Sequence, residues 1–184
     1  MDQNGFIFKI GDLANQDHGA NLNFDVCIKD KLKFEDNVWQ KSSIKGNIGF
    51  MRVEGGINVE IKNTETNLEF KCVKCTEKFA RIIKIPHAER VFHFEEQQGD
   101  IDIFDTFYIN TKNMSIDVSD FLRQEIILHF PSIPVCSKSC EGLCAYCGKN
   151  LNKESCDCDE KVEKTVQEKP LSSLKKLYKS SNKR

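Results

Sequence analysis

Eight of the nine cysteines form a Cys72-x2-Cys75 pair and a compact run in which Cys136, Cys140, Cys144, Cys147, Cys156 and Cys158 follow one another within 23 residues. Paired thiols at two-residue spacing are metal-ligand spacing, and eight of them can complete two tetrahedral sites. The order of the chain suggests how they divide. Cys144-x2-Cys147 followed by Cys156-x-Cys158 can close one site through a tight loop, which leaves Cys136 and Cys140 for Cys72 and Cys75; spacing alone leaves other partitions open. Four thiolates fill every position of a tetrahedral ion, so the expected cofactor is a pair of structural zinc ions with no open site for water. Gly148, directly after Cys147, suits a knuckle whose backbone N–H groups turn toward the sulfurs.

Other chemistries find less support. Thiol–disulfide exchange through a Cys-x2-Cys pair needs a depressed thiol at a helix start in a βαβ frame, and neither pair has that setting. His18, His87, His93 and His129 are scattered, and the sequence has no HExxH, GxSxG, GxxxxGK or GxGxxG string, so no catalytic residue is expected. His129, near the end of the best helix, reads as a packed or capping residue. Cys27, alone in the apolar stretch Phe24 to Ile28, reads as a small buried hydrophobe. Trp39 and Tyr146 could stack on unpaired bases, although core packing is the commoner fate of a tryptophan.

The elements that would position these thiols are mostly strands. From Phe6 to Phe94, β-branched and aromatic residues alternate with polar ones. Ile44 to Glu54 and Ile57 to Lys62 read as a hairpin across Gly55-Gly56, a second turn is expected at Asn63 to Asn67, and Phe79 to Ile85 reads as a strand leaving the Cys72-x2-Cys75 knuckle. An acidic loop over 95–105 precedes a short strand near Phe107 to Ile109. Asp117 to Phe130 carries cap candidates and apolar residues at helical spacing, with a stop at Pro131.

At 184 residues the chain suits one ordinary core, burying roughly 70% of the surface its unfolded form exposes. The net charge of −1 conceals an asymmetry: residues 161–184 carry eight Lys and Arg against Glu163 and Glu168. Within that tail, Pro170 to Lys179 reads as a helix with Leu171, Leu174, Leu177 and Tyr178 on one face. Lys169, Lys175, Lys176, Lys179, Lys183 and Arg184 are its candidate RNA contacts, while the leucine face could instead dock on a protein. No stretch approaches the ~20 apolar residues of a membrane span, and the start of the chain lacks a signal-peptide pattern; with thiols spaced as ligands, a cytoplasmic setting is expected.

The expected fold class is α+β: a mainly antiparallel β domain, barrel-like or an open sheet, with one packed helix, a Cys-rich zinc module and a basic C-terminal helix. Its expected divisions are a β-rich domain at 1–135 holding the Cys72 knuckle, a zinc module at 136–158 packed on it, and a charged linker with the basic helix at 159–184.

Asp117, Glu125-Ile126-Ile127-Leu128, Pro131, Pro134, Cys136, the string from Cys140 through Gly142-Leu143-Cys144-Ala145-Tyr146-Cys147-Gly148-Lys149-Asn150-Leu151-Asn152, and Cys156-Asp157-Cys158 together resemble the YceD family, the bacterial and plastid large ribosomal RNA subunit accumulation proteins. The resemblance spans about residues 66 to 180. It implies a non-enzymatic factor in the accumulation, processing or assembly of 23S ribosomal RNA, with the RNA or a pre-ribosomal particle as partner and a ribosomal protein as a further one. A protein-only scaffold and a thiol redox protein are the alternatives from other classes.

Overall fold

A computed structural model describes residues 5–34, 37–94 and 106–158. These carry eight strands and two helices: β1 (Ile7–Lys9), α1 (Gly11–Ala14), β2 (Asn21–Ile28), β3 (Val38–Gln40), β4 (Ile44–Val53), β5 (Gly56–Lys71), β6 (Lys78–His93), β7 (Phe107–Tyr108), β8 (Ser115–Asp117) and α2 (Ser119–Leu128). The chain divides into two compact units. One comprises residues up to Lys71 together with Lys78–Pro134; the other joins Cys72–Glu77 to the segment from Val135 onward.

In the first unit, β2, β4, β5, β6 and β7 form an open sheet in that order, with β3 pairing β5 beyond the end of β4. A second, two-stranded sheet pairs β1 with β8. All pairs are antiparallel except β6 with β7, which is parallel. The expected hairpin is present, and its loop is Glu54-Gly55, because Gly56 already pairs with Val53.

The turn expected at Asn63 to Asn67 is absent, and β5 runs through it unbroken. The signal that suggested a turn was a real break in the alternation. Ile57, Val59 and Ile61 point inward, then Thr64, Thr66, Leu68 and Phe70 do, so the inward parity changes from odd to even. The cause is a bulge: Lys45 pairs with Glu65 but Asn47 with Lys62, and Asn63 adopts a left-handed φ of 47°. One extra residue in β5 flips every later side chain to the other face. Strand β6 makes the same change at Pro86, opposite Asn63, where Ile83 and Ile85 give way to Ala88 and Phe92 as the buried set. A proline has no N–H to donate, so a bend costs the ladder least there.

The buried face of this sheet meets α1, α2 and the β1–β8 pair. Phe8 touches Phe24 and Phe50 at centroid distances of 5.4 and 5.1 Å, and Phe121 of α2 meets Phe92 edge-on at 6.3 Å. Each fully buried phenyl ring contributes about 1.5–3 kcal/mol by leaving water. Helix α2 lies inside the expected 117–130 span. Val118 is its N-cap, and Asp117 acts one position early, its carboxylate accepting from the Ser119 N–H at 2.9 Å. At the other end His129 caps the helix, with Nδ1 2.8 Å from the Glu125 carbonyl oxygen. Glu125 itself is buried, and its carboxylate lies 3.8 Å from Arg90 of β6.

Two side chains depart from the sequence reading. Trp39 is 40% exposed rather than packed in the core, because β3 turns Gln40 inward and its neighbour outward. Cys27 is half-buried for the same reason: Val26 and Ile28 flank it on the buried face, and its Sγ lies 3.5 Å from Ser43 Oγ. Among the described residues no helix is long and apolar enough to cross a membrane. The acidic segment 95–105 and the expected helix at 170–179 lie outside the described residues.

Candidate metal centre

The second unit contains all eight paired cysteines. Their sulfurs fall into two groups, Cys72 with Cys75, Cys136 and Cys140, and Cys144 with Cys147, Cys156 and Cys158, each with all sulfurs within 4.8 Å of one another. This is the partition that the chain order suggested. Within the first group the Cys72–Cys140 and Cys75–Cys136 sulfur separations are 3.9 and 3.6 Å.

The two Cys-x2-Cys pairs are built alike. In the first, the Cys72 N–H donates to Glu77 O at 2.8 Å and the Thr76 N–H donates back to Cys72 O at 2.9 Å. In the second, Cys144 N–H donates to Lys149 O at 2.8 Å and Gly148 N–H to Cys144 O at 3.0 Å. Each knuckle needs a left-handed residue just after its second cysteine: Gly148 has φ 73° and Thr76 has φ 62°. Only the glycine was visible as a knuckle signal. A β-branched residue held left-handed is strained by about 1–2 kcal/mol. Thr76→Gly is accordingly expected to raise the thermal stability of the metal-loaded protein, by about 1 kcal/mol after glycine's own entropic cost. A lower melting temperature would show that the threonine side chain supports the knuckle by another route.

The string Gly142-Leu143-Cys144 to Asn150-Leu151-Asn152 now has a physical content. Gly142 sits at φ 85°, and a Cβ there would come within 3.1 Å of the Lys74 carbonyl oxygen. That carbonyl accepts the Leu143 N–H at 3.0 Å, and the Gly142 carbonyl accepts the Leu151 N–H at 2.9 Å. Asn152 braces the first cluster, its side-chain oxygen accepting the Glu141 N–H at 2.9 Å and its Nδ2 donating to Cys140 Sγ at 3.4 Å. Glu77 accepts from Lys153 Nζ at 2.6 Å and from Asn150 Nδ2 at 3.4 Å. The Lys153 ammonium holds the Glu77 carboxyl below the usual carboxylate range. Glu77 and Thr76 were not singled out from sequence, since nothing about an isolated Glu or Thr signals such a role, and Asn152 stood out only as part of the family string.

The sulfurs are not electrostatically equal. At Cys72 burial pushes the thiol up, but N–H groups of Cys75, Cys136 and Lys74 outweigh it and bring it down to about 6. At Cys144 the N–H groups of Cys147 and Tyr146 have the same effect, again to about 6. Cys136, hydrogen-bonded to the Cys140 sulfur, is pushed up to about 12, and Cys158, against Cys147, likewise to about 12. Cys75 is pulled down by the Glu77 backbone and Cys156 by the Cys158 backbone, yet burial and neighbouring sulfurs leave both raised. Several anionic sulfurs crowded together need a cation between them. Each group can hold a metal ion through four sulfurs.

Tyr146 is 66% exposed beside the second knuckle. The six candidate RNA contacts, Lys169, Lys175, Lys176, Lys179, Lys183 and Arg184, lie outside the described residues.

A β-sheet protein carrying two four-cysteine clusters is the class that fold and site define. The profile of the large ribosomal RNA subunit accumulation protein YceD matches residues 62–178, most of the chain and every paired cysteine. The chain belongs to the YceD family. It is also similar to the chloroplastic large ribosomal RNA subunit accumulation protein YCED homolog 1 of Arabidopsis thaliana, 35% identical over 75 residues that make up 41% of this chain and 23% of that protein. The maize (Zea mays) protein of the same name is 40% identical over 60 residues, 32% of this chain and 20% of the relative. The matched stretch thus spans less than a quarter of either curated relative. No solved structure matches the chain.

Proposed function

We propose that this chain is a non-enzymatic, zinc-binding factor that supports the accumulation, processing or assembly of large-subunit (23S) ribosomal RNA in the cytoplasm. The observation that carries the zinc half of this reading is the sulfur spacing. Zinc–thiolate bonds of about 2.3 Å at the tetrahedral angle place sulfurs about 3.8 Å apart, and the two close separations in the first cluster are 3.9 and 3.6 Å. Cys72, Cys75, Cys136 and Cys140 would hold one ion, and Cys144, Cys147, Cys156 and Cys158 the other. With every position taken by thiolate, neither ion can activate a water, so the zinc serves structure. Family membership, together with the names of the plastid relatives, supports the ribosomal half.

In this reading Lys169, Lys175, Lys176, Lys179, Lys183 and Arg184 of the basic tail contact phosphates of the RNA or pre-ribosomal particle. A ribosomal protein contacted by Leu171, Leu174 and Leu177 would be a further partner. Replacing the six cations by Gln in the full chain is expected to flatten the salt dependence of RNA binding by up to about 4 in the log–log slope. An unchanged slope would remove the tail from the contact. The ribosomal reading as a whole is tested by crosslinking in cells and sequencing the attached RNA: large-subunit precursors should dominate, and a profile that follows general RNA abundance would overturn it.

A further inference from the structure

The sheet unit carries a groove that the zinc clusters and the tail leave unexplained. It is about 620 Å³ and is lined by residues 31–34 and 37–41 together with Glu69 and Lys78; Glu35 and Asp36, between the two stretches in sequence, lie outside the described residues. Its floor is the outer face of β3. Among the described residues this strand pairs only with β5, and Trp39 stands opposite Glu69. The far wall is held in place by Gln40, which is buried and accepts the Leu32 N–H at 2.9 Å while donating to Ser42 O at 2.8 Å.

Among the described lining residues the charges are Lys31, Lys33, Lys41 and Lys78 against Glu69. Glu69 is already engaged by Lys41 at 2.9 Å and Lys78 at 3.2 Å, and its carboxyl is held below the usual range, chiefly by Lys41. Lys78 Nζ lies 4.1 Å from the centroid of the Trp39 ring. A flat, 40% exposed indole with Lys78 over its face, in a groove lined by further lysines, combines the two parts of a single-strand platform, a π-face for a base and charges for its phosphates.

We infer that this groove binds a single-stranded RNA segment, with one base stacked on Trp39 and the flanking phosphates held by Lys31, Lys33 and Lys78. The inference rests on the proposed RNA role and adds to it both a site on the sheet unit and a class of RNA. A duplex keeps its base faces stacked inside and offers nothing for the indole, so the occupant is unpaired. The entering base takes the ring face that Lys78 covers, and the ammonium moves on its four-carbon stem to the adjoining phosphate. An acidic peptide would satisfy the lysines but would have no use for the aromatic face, which is why RNA is favoured.

Trp39 is the sole tryptophan of the chain, so its emission reports this groove alone. The test titrates the zinc-loaded full chain with a mixed-sequence single-stranded RNA decamer carrying a fluorescent end label, following both indole emission and anisotropy. Quenching should track binding. Trp39→Ala should weaken affinity about tenfold with the salt slope intact, and Trp39→Phe should recover part of the loss. Lys31→Gln with Lys33→Gln should instead lower the slope by about 1.4, two phosphates at ~0.7 each. Binding without quenching, and with Trp39→Ala at wild-type affinity, would overturn the groove inference and leave the wider RNA role standing. No binding to the decamer at any salt would overturn the groove inference, while the crosslinked RNA from cells would still decide the ribosomal reading separately. A poly-glutamate peptide that quenches Trp39 and competes as well as the decamer would reassign the groove to an acidic protein ligand.

Discussion

Cys140→Ala is expected to lower bound zinc from two equivalents to one and to cost the segments of the first cluster their order. Cys140 is buried between Cys72 Sγ, 3.9 Å away, and the Asn152 amide, so its removal opens the first cluster and leaves that amide without its sulfur partner. Structural zinc contributes an apparent ~10–16 kcal/mol of coupled folding free energy near neutral pH, as much as the ~5–15 kcal/mol that stabilises a whole domain. No hydrogen-bond network of this size could replace it. Elemental analysis with limited proteolysis between residues 135 and 158 would measure both effects. Two retained equivalents and native protease resistance in Cys140→Ala would refute the cluster as a structural site. Cys147→Ala provides the converse case, losing the second ion while the first stays bound.

Zinc affinity should also fall at least 100-fold for each pH unit between about 7 and 6. In the metal-free clusters Cys75 and Cys136 in one, and Cys156 and Cys158 in the other, are raised above the ordinary thiol value and hold their protons at pH 7. Binding as thiolates therefore expels at least two protons per ion, and each proton expelled makes affinity tenfold weaker per unit of acidification. Below about 6, Cys72 and Cys144 are protonated too, so the slope steepens to at least three. The two depressed thiols favour the loaded state above their folded values and lose that preference as pH falls through them; the raised thiols add the rest of the proton release. Competition with a chromophoric chelator across pH 5.5–7.5 gives the slope, and an affinity that did not change with pH would mean that thiolates are not the ligands.

How far the chain could be read in advance depended on the range of the signal. The two four-cysteine groups, the β4–β5 hairpin to within one residue of the expected Gly55-Gly56 turn, and α2 were legible because spacing, glycine and helical period act over a few residues. The continuity of β5 was not, since Asn63 is as good a turn residue as a bulge residue, and only the partner strand decides between them. Trp39 was misplaced for a related reason: its exposure follows from which face of β3 the neighbouring Gln40 occupies. Thr76 escaped notice because its local chemistry argues against the conformation it adopts, and the Cys72–Glu77 hydrogen bonds impose it.

The first knuckle is also the tip of the longest hairpin. Lys71 and Lys78 are the last pair of the β5–β6 ladder, and Cys72 to Glu77 are the six residues that connect them. Neighbouring strands zip up early because little chain entropy is lost in closing them. As the polypeptide emerges from the ribosome, half of the first metal site can thus be ready some sixty residues before Cys136 is made. Capture of an ion there would then wait on Cys136 and Cys140, leaving the second unit unfinished until the later thiols of its own sequence arrive.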